Sequence, residues 1–279
     1  MSLSLREELR VVLAPEQLLL VGIGREWTRR GLIRRVRQKR VISCEPGGDA
    51  RWSGALGALQ TELPALAGNT AAATVILSNH FMHYALVPWS GALMNAEEER
   101  VVARHFFRQL YGPAADSWQL RLSAGSFGKT RLASAVEDEL LLSLRRVFAE
   151  ADIPLRSIQP SLMAACNTCH DKLQDRNAWL VLYENGSLCI ALLQHGDWCS
   201  VRTLRADTDW QHMLPLLLER EAYLIEQEVQ TNEVLLWAPG FDHASLPQST
   251  RWKFDALQPA LKAGIEPDYE QCFAVAMGS

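Results

Sequence analysis

Ala178-Trp-Leu-Val-Leu-Tyr-Glu-Asn-Gly-Ser-Leu-Cys-Ile-Ala-Leu-Leu-Gln-His-Gly-Asp-Trp-Cys-Ser-Val-Arg-Thr-Leu204 is the stretch whose reading decides the fold. It holds three apolar-rich runs, Ala178–Tyr183, Leu188–Gln194 and Trp198–Leu204. Asn185-Gly186 parts the first pair and His195-Gly196-Asp197 the second, so the runs predict three consecutive antiparallel strands. Asn-Gly suits a type I′ hairpin, in which both central residues need φ > 0. An amphipathic segment at about 209–229 follows, then a strand at Glu233–Ala238 and a last helix near 268–277. Pro215 should kink the 209–229 helix or delay its start, because it lacks an N–H and clashes one turn back.

Working outward, the N-terminal part repeats this order. Leu9–Ala14 and Gln17–Ile23 are apolar strands joined by Pro15-Glu16, and Gln38–Cys44 is a third. Trp52–Leu66 carries Leu56, Leu59 and Leu63 at helical spacing, and Thr74–Leu77 is a strand. Two β-β-β-α-β units predict two related α/β halves, 1–176 and 177–279, facing each other across a cleft of the kind that normally holds a nucleotide. Between them lies an inserted β-α-β at about 80–123: a strand at Phe81–Val87, a helix and a strand at Trp118–Leu122. Asn95 caps the inserted helix, with Glu98 as its capping-box partner, and Tyr111-Gly112-Pro113 ends it. A long helix is expected at 131–150, capped by Thr130, then a strand at Leu155–Ile158 and a helix at Ser161–Leu173.

The chain of 279 residues has length for two domains. Its 48% apolar and 22% charged content is that of a globular protein, and a net charge of −4 gives no overall pull toward nucleic acid. No apolar run reaches the roughly 18 residues of a transmembrane helix. Acidic residues stand where a signal peptide would have its apolar core, which predicts a cytoplasmic protein with reduced cysteines.

Four motifs carry candidate chemistry. Cys166-Asn-Thr-Cys169-His170 has the form of a haem-attachment site but falls inside a helical pattern with no export signal, so packed cysteines are the expectation. His80 and His83 are too few for a zinc site, and no metal is expected. Ser123-Ala-Gly-Ser-Phe-Gly128-Lys129-Thr130 resembles a P-loop lacking its first glycine, placed between a strand and a helix. If it worked, Gly128, Lys129 and Thr130 would serve a nucleotide-binding enzyme. Otherwise it is a Gly-rich connection. Arg25 to Arg40 holds eight basic residues. Arg29, Arg30, Arg34 and Arg35 are the candidate contacts to an acidic partner or to anionic lipid headgroups. The alternative is an edge strand blunted by charge.

Ile76-Leu-Ser-Asn-His-Phe-Met-His-Tyr-Ala-Leu-Val-Pro-Trp89, the helix and Tyr111-Gly112 after it, Trp118-Gln-Leu-Arg-Leu, and Arg131-Leu-Ala-Ser-Ala-Val-Glu through Ala151-Asp-Ile-Pro look familiar together. They resemble the actin-like cytoplasmic proteins of type IV pilus and type II secretion machines: the PilM type, the MSHA-pilus relatives and the cytoplasmic part of GspL. Gln271-Cys-Phe-Ala-Val-Ala-Met-Gly278 resembles the small-residue final helix of that superfamily. The resemblance implies an actin-like (ribonuclease H-like) α/β fold with duplicated domains and mixed sheets. It also implies a scaffold, peripheral to the inner membrane, that binds a PilN-like inner-membrane assembly protein. A homodimer is a further arrangement open to it.

PilM-type members can hold ATP and magnesium between the domains, on turns of the form Asp-x-Gly-(Thr/Ser). Here the first such turn reads Ala14-Pro15-Glu16-Gln17 and the second Glu184-Asn185-Gly186-Ser187. The adenosine-side turn, Ala238-Pro239-Gly240-Phe241, keeps one glycine. Glu16, Glu184, Gly186, Ser187 and Gly240 would line the site if a nucleotide bound. The degraded turns imply instead a non-catalytic scaffold without a required cofactor. A GspL continues into a transmembrane segment, so the resemblance fits either a stand-alone PilM-like subunit or a piece of a longer chain.

Overall fold

The computed structural model describes residues 7–28, 31–45, 47–48, 50–91, 95–124, 128–225, 229, 231–238, 246–258, 273 and 275–276. In chain order the elements are β1 (Glu7–Ala14), β2 (Gln17–Thr28), β3 (Gly31–Ser43), α1 (Ser53–Glu62), β4 (Thr70–Leu77), β5 (His83–Val87), α2 (Ala96–Tyr111), β6 (Trp118–Leu122), β7 (Arg131–Glu137), α3 (Asp138–Glu150) and β8 (Leu155–Pro160). They continue with α4 (Ser161–Thr168), α5 (His170–Leu173), β9 (Ala178–Glu184), β10 (Ser187–Gln194), β11 (Asp197–Arg205), α6 (Trp210–Tyr223), β12 (Glu233–Trp237) and β13 (Lys253–Ala256). The last helix expected near 268–277 lies mostly outside the described residues.

The chain forms two compact units from interleaved segments. One comprises Met1–Phe81, Glu137–Thr168 and Pro259–Ser279, the other Met82–Val136 and Cys169–Gln258. The first unit is built on a five-stranded sheet of order β3-β2-β1-β4-β8. β1 to β3 are an antiparallel meander, and β4 and β8 run parallel to β1. Val11, Leu13, Leu18, Leu20, Ile76 and Leu77 are all buried. Such continuous apolar strands need cover on both faces. α1 packs on β1, β2 and α3, and α4 packs on β4 and β8. Trp52 Nε1 donates to Glu137 Oε2 at 2.7 Å, tying the entry of α1 to the entry of α3.

The second unit carries a five-stranded sheet of order β11-β10-β9-β12-β13, the same order with the same senses: three antiparallel strands, then two parallel ones. α6 covers it with Trp210, Leu214 and Leu218 against Trp179, Val181, Ile190 and Leu236. Each aliphatic side chain buried this way contributes about 1.5–3 kcal/mol relative to exposure. Pro215 sits inside α6, which nevertheless begins at Trp210. A three-stranded sheet of order β5-β7-β6 completes the unit. Phe107 and Ala103 of α2 pack there with Trp118, Ala133 and Ala135.

Two local readings change. The type I′ turn is at His195-Gly196, where φ is 53° and 76°, and Asn177 Oδ1 accepts the His195 N–H at 2.6 Å. At 185–186 only Gly186 has positive φ, 78°. The helix expected from 131 begins at Asp138, because 131–137 is β7, paired antiparallel with β5. Thr130 therefore caps no helix. Asn95 does cap α2: its Oδ1 accepts from the Glu97 and Glu98 N–H groups, both at 3.0 Å, and its amide donates back to Glu98 Oε1 at 3.0 Å.

Candidate functional site

The two hairpin turns that the sequence offers to a phosphate each brace a strand end within their own sheet. In the first unit, Ala14 pairs with Gln17 around Pro15-Glu16. Neither turn residue has positive φ. Pro15 has no N–H to offer, and Glu16 is exposed and negative. The Glu16 carbonyl accepts the N–H of Cys44, just past β3, at 2.8 Å. In the second unit, the Gly186 carbonyl accepts the N–H of Ala206, just past β11, at 3.1 Å. Each turn thus braces the end of the third strand of its own sheet. Glu184, Gly186 and Ser187 come together on one hairpin, but Ser187 is buried between Glu184 and Arg205, and the carboxylate at 184 repels a phosphate. Glu16 belongs to the other unit, and Gly240 lies outside the described residues.

The P-loop reading is overturned. Ser123 to Thr130 joins β6 to β7, two neighbouring strands of one sheet, so no helix N-terminus follows it. The Ser123 N–H bonds the Leu132 carbonyl, and the Arg131 guanidinium donates twice to the Ser123 carbonyl and pairs with Glu99 at 2.6 Å. Lys129 Nζ lies 2.7 Å from Asp197 Oδ2, whose hydrogen bond and charge raise the lysine pKa.

The cysteine motif is also structural. Cys169 is buried at the junction of α4 and α5, its thiol directed at the Gln258 carbonyl, and burial pushes its pKa to about 11. Among the described residues no group of three or more His, Cys, Asp and Glu could hold a metal. His80 Nδ1 is 2.8 Å from the Ser78 hydroxyl, and His83 stacks on Trp118 with ring centroids 3.8 Å apart.

The basic run occupies the outer hairpin of the first sheet. β3 is its edge strand, and the register sets Arg25 directly opposite Arg34, Glu26 opposite Ile33 and Gly24 opposite Arg35. Side chains alternate along a strand, so Arg25 and Arg34 share one face and Glu26 and Arg35 the other. On the latter, Glu26 pairs with Arg35 at 3.6 Å and with Arg37 at 3.3 Å. On the former, Arg25 and Arg34 join Arg156 around a cavity of about 520 Å³, with Ile23 and Pro154 in its lining and Glu8 at its side. Glu8 is already engaged by Arg10, which is 4% exposed and also donates to the Ala276 carbonyl at 3.1 Å. Burial lowers the Arg10 pKa, Glu8 opposes that, and Arg34 and Arg156 add to the lowering. The Arg29 and Arg30 expected beside them lie outside the described residues. The long hairpin was missed in sequence because the second expected strand stopped at Ile23 and the third began at Gln38, whereas β2 runs to Thr28 and β3 starts at Gly31. Arg25 and Arg34 are equally spaced from the paired Thr28 and Gly31, and that spacing is the signal that could have found the pair.

No helix among the described residues is long and apolar enough to cross a membrane. No family model matches the sequence, and no curated protein matches it. Solved structures do. The chain is similar to a chain of the PilM–PilN type IV pilus biogenesis complex, with 16% identity, 97% of this chain and 96% of that one covered, and a TM-score of 0.69. It is similar to the cytoplasmic domain of EpsL, an inner membrane component of the type II secretion system of Vibrio cholerae: 12% identity, 90% of each chain, TM-score 0.56. A Bacteroides thetaiotaomicron protein of actin-like ATPase fold and unknown function matches at 8% identity over 86% of this chain and 84% of that one, TM-score 0.54. At such identities the likeness establishes the fold, which is actin-like.

Proposed function

We propose that this actin-like chain is a non-catalytic scaffold of a type IV pilus or type II secretion-like assembly, held at the inner membrane by a PilN-like partner. The observation that carries the reading is the whole-chain likeness to the PilM–PilN complex component. The geometry of the two turns supports it: Pro15 and the carboxylates of Glu16 and Glu184 stand where a phosphate site needs free N–H groups and a close backbone approach. In this reading the repeat runs over 1–176 and 177–279, each half contributing one sheet of the shared strand order.

The test has two arms. Cross-linking in the native cell, with the chain tagged, is expected to recover an inner-membrane protein of a pilus or secretion apparatus. Deletion is expected to abolish assembly or secretion, and a deletion strain with both intact overturns the scaffold role. Calorimetry with ATP and magnesium is expected to show no heat. Binding, with the roughly 2.7 kcal/mol of added stability that a ligand gives at 100 times its Kd, would instead establish a nucleotide-dependent switch.

A further inference from the structure

The strongest unexplained feature of the first unit is the face of the β2–β3 hairpin that carries Arg25 and Arg34. Like charges directly opposite each other in an antiparallel pair are destabilising. The other face of the same hairpin shows the ordinary remedy, a glutamate between two arginines. The side chains of Arg25, Arg34 and Arg156 make no hydrogen bond or ion pair among the described residues, and the one carboxylate at the cavity, Glu8, bonds Arg10. Arg156 comes from β8, the opposite edge of the sheet, so the cavity is lined by arginines from both edge strands, β3 and β8, and from β2 beside β3. Guanidinium groups bind phosphate in bidentate fashion and shed water more readily than ammonium groups do. Two residues beyond Arg25 on the same face stands Trp27, 75% exposed. Tryptophan favours the headgroup level of a bilayer.

We propose that this face docks on an anionic membrane surface, with the phosphate of a lipid headgroup held by Arg25, Arg34 and Arg156 and Trp27 inserted at the interface. Cavity and tryptophan together favour lipid over a soluble phosphate compound, which would make no use of the exposed indole. This contact is independent of a partner protein and stands or falls separately from the scaffold reading.

The test is flotation of the whole chain with vesicles of phosphatidylcholine alone or mixed with phosphatidylglycerol. Binding is expected only to the mixed vesicles, and it should weaken as salt rises. Each of Arg25→Gln, Arg34→Gln and Arg156→Gln is expected to weaken it about fivefold, and the triple variant about a hundredfold, from the usual surface contribution of one basic residue. Arg35→Gln, on the other face, is the control and should bind like the parent. Trp27 is expected to shift its emission to shorter wavelength on the mixed vesicles, a shift that Trp27→Phe should remove. The proposal is overturned if the mixed vesicles do not bind, or if Arg35→Gln costs as much as Arg34→Gln. Pyrophosphate binding that requires the three arginines, without any vesicle binding, would also overturn it and assign the cavity to a soluble phosphate ligand.

Discussion

Removing Arg220 should destabilise this protein more than removing its partner Glu221. The Glu221 carboxylate, on α6, is 3% exposed and pairs with two arginines that are each about half exposed. Arg220 Nη2 and Nε reach Oε1 at 2.9 and 3.2 Å, and Arg202 Nε reaches Oε2 at 3.5 Å. In Arg220→Met the buried carboxylate keeps only the longer contact. A hydrogen bond to a charged group is worth about 1.5–3 kcal/mol, and an unpaired buried charge costs about 3–5 kcal/mol. Arg202 still compensates in part, so the expected loss is about 2–3 kcal/mol. In Glu221→Met the buried charge itself is gone. Both guanidiniums already face water and can hydrate, and the methionine fills the carboxylate's space, so the expected loss is about 0–1 kcal/mol. The double variant should resemble Glu221→Met alone, which makes the coupling about 2 kcal/mol. Urea unfolding of the four proteins reads this as a midpoint shift of about 1 M for Arg220→Met at a slope of about 2 kcal/mol/M. A Glu221→Met variant as unstable as Arg220→Met, or losses that simply add, would refute the reasoning.

Asn95→Ala removes both cap bonds and the reciprocal amide bond of α2. It should cost about 1 kcal/mol, read as faster hydrogen exchange in the first turn of that helix. Lys129→Ala should leave calorimetry with ATP unchanged, since the lysine serves Asp197. Because that pair raises the lysine pKa, its contribution to stability is complete below the ordinary lysine range and is lost as pH climbs through the raised value. A pH titration of thermal stability in parent and variant should therefore converge at high pH. Cys169, with a pKa of about 11, should be alkylated near pH 8 through about one thiolate in a thousand. Mass spectrometry should find it modified only once urea has unfolded the chain.

The second sheet was legible because Asn185-Gly186 and His195-Gly196 punctuate runs too apolar for anything but buried strands. The error at 131–137 has a clear cause. Leu132 and Val136 stand four apart and lead into Leu140 and Leu144, so β7 and α3 read as one helical stripe. Ala133 and Ala135 fill the small spaces that make the segment a strand, and alanine carries no strand signal. Once β7 is a strand, the glycine-rich connection before it loses its helix and the P-loop reading fails with it. The arginine cavity as a whole was not readable. Arg25 and Arg34 meet only through the hairpin register, and Arg156 joins them only because the sheet order puts β8 at the far edge of the same sheet.

The paired hydrogen bonds of the two turns brace each sheet from within its own unit. A turn that holds phosphate must keep its N–H groups free and its backbone approachable. Here the second residue of each turn, Glu16 and Gly186, gives its carbonyl to the residue just past the third strand, Cys44 in one sheet and Ala206 in the other. The same bond at the same place in both sheets means that each hairpin is locked from within its own unit. The central strands of both sheets are buried, with α1 and α4 packed on the first sheet and α6 on the second, so apolar burial supplies much of their stability. Replacing Pro15-Glu16 by Gly-Thr would free the turn sterically, yet the Cys44 bond would persist, since it uses only a backbone carbonyl. Glu184 would still present its carboxylate on the other turn, so that variant is expected to fold with the parent's strand order and still give no heat with ATP. Heat on mixing would show that Pro15 and Glu16, and not Glu184, decide whether a nucleotide binds.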